Sequence, residues 1–119
     1  MNLADFLDKL HASPADIQFS EVMSLIEQHF TYLPSGFTNA GQRSEAGQNE
    51  GSCKIFALAK HLKLSDQACL ACFGDFYRID VVQNPAGTDH ANIRQCLKTG
   101  LANISFDRPP LQLKAGTAT

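Results

Sequence analysis

Ser52-Cys53-Lys54-Ile55-Phe56-Ala57-Leu58-Ala59-Lys60-His61-Leu62-Lys63 carries the clearest helical signal in the chain. Ile55, Leu58, Ala59 and Leu62 recur three and four residues apart and form one apolar stripe. Ser52 opens the helix, and Lys60, His61 and Lys63 sit in its last turn, where cations suit the dipole. Upstream, Leu3, Phe6, Leu7 and Leu10 make a similar stripe on a short first helix. Ser13-Pro14-Ala15-Asp16 has capping-box chemistry over a brief turn. Ser20 is the expected cap of a second helix, with Val22, Met23, Ile26 and Phe30 on one face, ended by Leu33-Pro34. Downstream, Ser65 caps and Asp66 opens an apolar face that runs through Cys69, Leu70, Phe73, Phe76 and Tyr77 to about Val82. After the Asn84-Pro85-Ala86-Gly87 break, Thr88 caps another helix with Asp89 at its start. Ile93 and Leu97 point inward from it, and Gly100 stops it.

Strand signals are short. Phe37-Thr38 and the alternating Ala102-Asn103-Ile104-Ser105-Phe106 are expected to pair antiparallel. Only three Val in the chain argue against a large sheet. The expected fold is α+β: one small, mostly helical domain with four or five helices and two or three short antiparallel strands. Residues 1–106 form that domain, and 107–119, with two Pro, read as a mobile tail. The polar, Gly-rich run from Asn39 to Gly51 reads as a functional or well-packed loop.

The chain has 119 residues, 10 basic and 12 acidic, for a net charge of −2. That balance offers no nucleic-acid footprint and no patch for an anionic membrane. No apolar run reaches membrane-spanning length. The start, Met1-Asn2-Leu3-Ala4-Asp5-Phe6-Leu7-Asp8, is too acidic for a signal peptide. Four Cys without such a signal read as reduced thiols, so the expected location is the cytoplasm. A type III export signal has no apolar core and leaves that route open.

Cys69-Leu70-Ala71-Cys72 is a C-x-x-C, but both thiols fall inside an apolar helical face and read as small core residues. The other Cys and the four His are scattered singly, so no metal site and no cofactor are expected. No P-loop is present, since Lys54 follows Ser-Cys rather than Gly. The polar residues instead gather at two helix starts. Asn39, Asn49, Glu50 and Ser52 belong to one; Asp89, His90, Asn92 and Arg94 belong to the other. Free backbone N–H groups at such ends accept an anion or carboxylate. The bland alternative is two caps, a turn and a solvated face, with Glu50 merely complementing the dipole. Asp89 and His90 are adjacent, about 100° apart on a helix, so they face one ligand only if the turn is irregular.

These strings resemble the HopJ family of type III effector proteins over about residues 17–107. The carrying residues are Phe37-Thr38-Asn39, Asn49-Glu50-Gly51-Ser52-Cys53-Lys54, Phe73-Gly74, Tyr77-Arg78, Asn84-Pro85, Gly87-Thr88-Asp89-His90, Asn92-Ile93-Arg94 and Ile104-Ser105-Phe106. Ala40, Cys96 and Leu101 depart from the family pattern, the last two where aromatic residues are usual. The resemblance implies an effector, delivered by a type III system, that acts by binding a host protein or a small molecule; it brings no catalytic set. The reading from the residues themselves is a cytosolic small-molecule-binding protein or enzyme with a polar pocket at the helix starts near Ser52 and Thr88.

Overall fold

The stripe Leu3, Phe6 and Leu10 is buried on α1 (Leu3–Ala12), whose start Asn2 caps by accepting the Asp5 N–H at 2.7 Å. The computed structural model describes residues 1–114. Pro14–Asp16 is a single 3-10 turn, and Ser13 makes no side-chain cap bond there. α2 (Phe19–His29) begins ahead of Ser20, so Ser20 lies inside the helix rather than capping it. The Glu21 carboxylate takes the Gln18 N–H instead, at 2.7 Å. Its buried face is Val22, Leu25, Ile26 and His29, with Met23 only partly covered.

α2 runs directly into β1 (Phe30–Tyr32). β2 (Phe37–Asn39) and β3 (Gln42–Ser44) form a hairpin across Ala40-Gly41, two residues with positive φ, as a tight two-residue turn requires. β3 lies within the run expected to be loop. Among the described residues, α3 (Glu50–His61), α4 (Asp66–Ala71), α5 (Asp75–Arg78) and α6 (Ala91–Thr99) complete a set of six helices. β4 (Ile104–Phe106) pairs with β2 in the expected antiparallel sense, Phe37 opposite Phe106 and Asn39 opposite Ile104. β5 (Leu111–Leu113) pairs antiparallel with β1, Phe30 opposite Leu113. The result is one α+β domain with a three-stranded sheet, β3-β2-β4, and a two-stranded sheet, β1-β5.

β5 corrects the expectation of a tail from Asp107. Arg108 donates to the Pro34 carbonyl, and the Leu33 N–H donates to the Pro110 carbonyl, so the segment is pinned along β1. Such pairing joins residues some eighty positions apart, and no local periodicity announces it. Residues 115–119 of that expected tail lie outside the described residues.

α3 is the centre of the core. Cys53, Ile55, Phe56, Ala57, Leu58 and Ala59 are all buried, so the helix is covered on more than the single stripe its spacing suggested. Phe56 stands edge-on to Phe37 of β2 at 6.0 Å and to Phe73 at 5.5 Å. Each such aromatic pair contributes about 0.5–1.5 kcal/mol beyond its buried area.

The apolar face expected to continue to Val82 breaks after α4. Ser65 caps α4 through the Ala68 N–H, as its sequence suggested. Gly74 then turns the chain at φ +61°, leaving Phe76 41% and Val82 52% exposed. Cys69 and Cys72 are both fully buried in the core, and burial pushes the Cys72 thiol up to about 12. On α6 the inward residues are Ile93 and Cys96, whereas Leu97 is 46% exposed; Gly100 stops the helix at φ +77°.

Gly74 fills a conformation that side-chain-bearing residues avoid, and a Cβ there would stand 2.8 Å from the Phe19 backbone nitrogen. Gly74→Ala is expected to cost about 1–3 kcal/mol in urea unfolding. A change below a few tenths of a kcal/mol would contradict this placement.

Candidate functional site

The starts of α3 and α6 face each other across an open cavity of about 490 Å³. Both helices begin in an unusual way. Asn49 precedes α3 at φ +50°, and His90 precedes α6 at φ +52°; neither side chain caps its helix. Intrahelical bonding begins with Cys53 N–H to the Asn49 carbonyl and Arg94 N–H to the His90 carbonyl. The N–H groups of Glu50, Gly51, Ser52, Ala91, Asn92 and Ile93 therefore precede both hydrogen-bond ladders. Five of those six residues, all but Glu50, line the cavity. β3 supplies Gln42 and Ser44 to it, and Phe19, Phe73 and Phe76 form an apolar wall, with Phe19 and Phe76 edge-to-face at 5.0 Å.

Two buried amide contacts hold this arrangement. Asn39, fully buried on β2, donates from Nδ2 to the Asn92 carbonyl at 3.0 Å and to Asn92 Oδ1 at 3.2 Å. The backbone carbonyl can only accept, so the group on Asn39 that meets it is the NH₂, and Asn92 turns its own oxygen toward it. Asn92 Nδ2 is thereby left over. It has no acceptor among the described residues, on a side chain only 7% exposed. Ser44, 3% exposed, accepts from Asn49 Nδ2 at 3.0 Å and keeps its own O–H free to donate.

Of the eight residues singled out by sequence, Asn49, Ser52, His90 and Asn92 line the cavity and Asn39 lies buried against Asn92. Glu50, Asp89 and Arg94 are not in the lining. Glu50 sits beside Tyr32, whose phenol is raised above its usual range by burial and further by that carboxylate. Arg94 donates to the Asp89 carboxylate and to the carbonyls of Asn84, Asp80 and Asp89, so it ties the preceding loop to α6. The Arg94 guanidinium holds the Asp89 carboxyl below its ordinary range. Neither helix start matches its sequence boundary: Asn49 replaces Ser52 and His90 replaces Thr88 at the cap position.

The left-handed turn at His90 lets Asp89 and His90 converge. His90 Nε2 lies 2.9 Å from Asp80 Oδ2 and 3.7 Å from Asp89 Oδ2. One donor atom from each of Asp80, Asp89 and His90 falls within 4.8 Å of the others, so this trio has ligands that could hold a divalent cation. Arg94 already neutralises Asp89 from the other side. The sequence reading expected no metal and passed over Asp80, which stands ten positions from His90 with no motif to join them. It also passed over Ser44, Gln42 and Phe19. Their only local sign was polarity in a Gly-rich run, or a phenylalanine on a helix. Arg43 reaches the cavity but is paired with Asp107 at 2.6 Å and with Glu45 at 3.1 Å.

A family model described as HopJ type III effector protein matches residues 3–111, a longer span than the sequence resemblance covered. A crystal structure of a protein described as unknown function protein VPA0580 is 44% identical, with a TM-score of 0.94. The alignment covers 96% of this chain and 95% of that one. No curated protein matches.

Asn39→Ala removes the donor that joins β2 to α6 and leaves the Asn92 Oδ1 without a partner. It is expected to cost about 1–3 kcal/mol in urea unfolding. An unchanged midpoint would mean that the Asn39–Asn92 contact does not hold the two elements together.

Proposed function

The chain belongs to the HopJ type III effector family, and on that footing we propose that it acts by binding a small polar molecule in the cavity between the starts of α3 and α6. The observation that carries this reading is the convergence of two uncapped helix starts on one cavity with an apolar wall. Donors at a helix start gain nothing from facing each other; they are complementary to a third body. Asn49, Ser52, His90 and Asn92 are the contact residues in this reading, with Asn39 setting the position of Asn92. Asp89 and Arg94 act behind them by holding the loop that carries His90. In this reading the protein resides in the cytoplasm before export by a type III system, and the support for that delivery is the family match rather than the cavity. No helix among the described residues is long and apolar enough to cross a membrane.

One observation favours a cytosolic enzyme as the second reading. His90 lines the cavity while Asp80 grips its Nε2 from behind, and a carboxylate-oriented histidine is a usable general base. Ser52 and Ser44 are the hydroxyls on the same cavity.

Two measurements test the proposal. A translocation reporter fused to the N-terminal region, in a type III-competent strain, is expected to report delivery; its absence removes the effector role. A thermal-shift panel of small polar metabolites on the full chain is expected to yield a ligand that raises the melting temperature. Saturation at about a hundredfold over Kd stabilises by about 2.7 kcal/mol. Ser52→Leu should keep its own melting temperature within a few degrees and lose that shift. A shift that survives Ser52→Leu places the ligand elsewhere.

A further inference from the structure

We infer that the ligand of this cavity is a small anion, a carboxylate or a phosphate ester, whose charged group sits between the N-termini of α3 and α6. The inference rests on the reading that the cavity is a binding site and adds the chemistry of what it takes. The first support is the balance of donors and acceptors. Gly51, Ser52, Ala91, Asn92 and Ile93 bring backbone N–H groups that precede their helical ladders. Buried side chains add the Asn92 Nδ2 and the Ser44 O–H, neither with an acceptor among the described residues. Two acceptors beside them are engaged, since Asn39 takes Asn92 Oδ1 and Asn49 takes the Ser44 oxygen. Each hydroxyl of a neutral polyol that accepts from these N–H groups also brings an O–H that needs an acceptor of its own. An anionic oxygen group only accepts, so it pairs with these donors and brings no O–H of its own to satisfy.

The second support is the source of charge. α3 and α6 have 12 and 9 residues, long enough for each N-terminus to carry about half a positive charge. The side-chain cations nearby are already neutralised: Arg43 by Asp107 and Glu45, Arg94 by Asp89. Positive potential therefore comes from fixed backbone dipoles and neutral donors, which suits a compact group of one or two charges rather than a polyanion. The Phe19–Phe76 pair, with Phe19 beside Gly51 and Phe76 against the His90 ring, takes the apolar remainder of the molecule.

The test is an amide NMR titration of the full chain with three probes: inorganic phosphate, sodium benzoate and benzamide, the neutral counterpart of benzoate. Phosphate or benzoate is expected to move the Gly51, Ser52, Asn92 and Ile93 amides saturably, and benzamide at least about tenfold more weakly. The phosphate and benzoate arms separate the two sources of anionic oxygen. Asn92→Asp should weaken the anion at least about tenfold, by placing a carboxylate where Nδ2 stands. The variant should still fold, because Asp in a first helical turn favours the dipole and still accepts from Asn39. Ser52→Asp, which adds the charge from the α3 side, is expected to give the same loss if Asn92→Asp does not fold. Benzamide moving these amides as strongly as benzoate would overturn the anion assignment and leave the cavity a binding site. No probe moving them would overturn both readings.

Discussion

Between Cys53 and Ala59 only Lys54 escapes burial, so the middle of α3 has almost no solvent face. The elements packed against it are placed by the need to cover it. β2 brings Phe37 against Phe56, and Phe73, beyond α4, closes the other edge of the same ring. α2, α4 and β5 pack on the remaining sides. An apolar helix in this position cannot rotate or slide without exposing large side chains, each worth about 1.5–3 kcal/mol when buried. The direction of its N-terminus is therefore as rigid as the core itself.

That rigidity has a consequence for α6. β2 lies on α3 through Phe37 and, two residues on, holds α6 through the Asn39–Asn92 contact. One three-residue strand thus sets both helix starts at once, and the cavity is the gap it leaves between them. The loop before α6 is tied down separately by Arg94, which gathers three carbonyls and the Asp89 carboxylate. Left-handed residues at both cap positions keep each side chain from folding back over its own helix. A site that must present free N–H groups to a ligand needs that restraint, because an ordinary Ser or Asp cap would consume them.

Much of this was readable in the residues. The helical spacing of Leu3 to Leu10 and of Ile55 to Leu62, the Ser65 cap, the Gly100 stop and the strand character of Phe37-Thr38 and of Ile104-Ser105-Phe106 are local signals. The structure contains each of them. The misreadings share a physical cause. A left-handed Asn49 or His90 is decided by tertiary packing, so Ser52 and Thr88 looked like the caps by composition. β5 became a strand only because β1 offered an edge, a pairing with no local trace around Leu111. Gly74 interrupts an apolar run that reads as continuous, because the close approach of Phe19 cannot be seen from spacing. At the site, polar residues at two helix starts were legible as a group. Which of them face the cavity was not, since Glu50 and Ser52 differ only in which side of one turn they occupy. Asp80 and Ser44 enter through the fold alone.

The most direct measurement is a crystal structure of the full chain soaked in sodium benzoate or inorganic phosphate. One anion is expected within about 2.7–3.2 Å of N–H groups from both helix starts, Gly51 or Ser52 on one side and Asn92 or Ile93 on the other. An anion held by only one of the two starts, or a cavity closed by side chains capping both helices, would contradict this expectation.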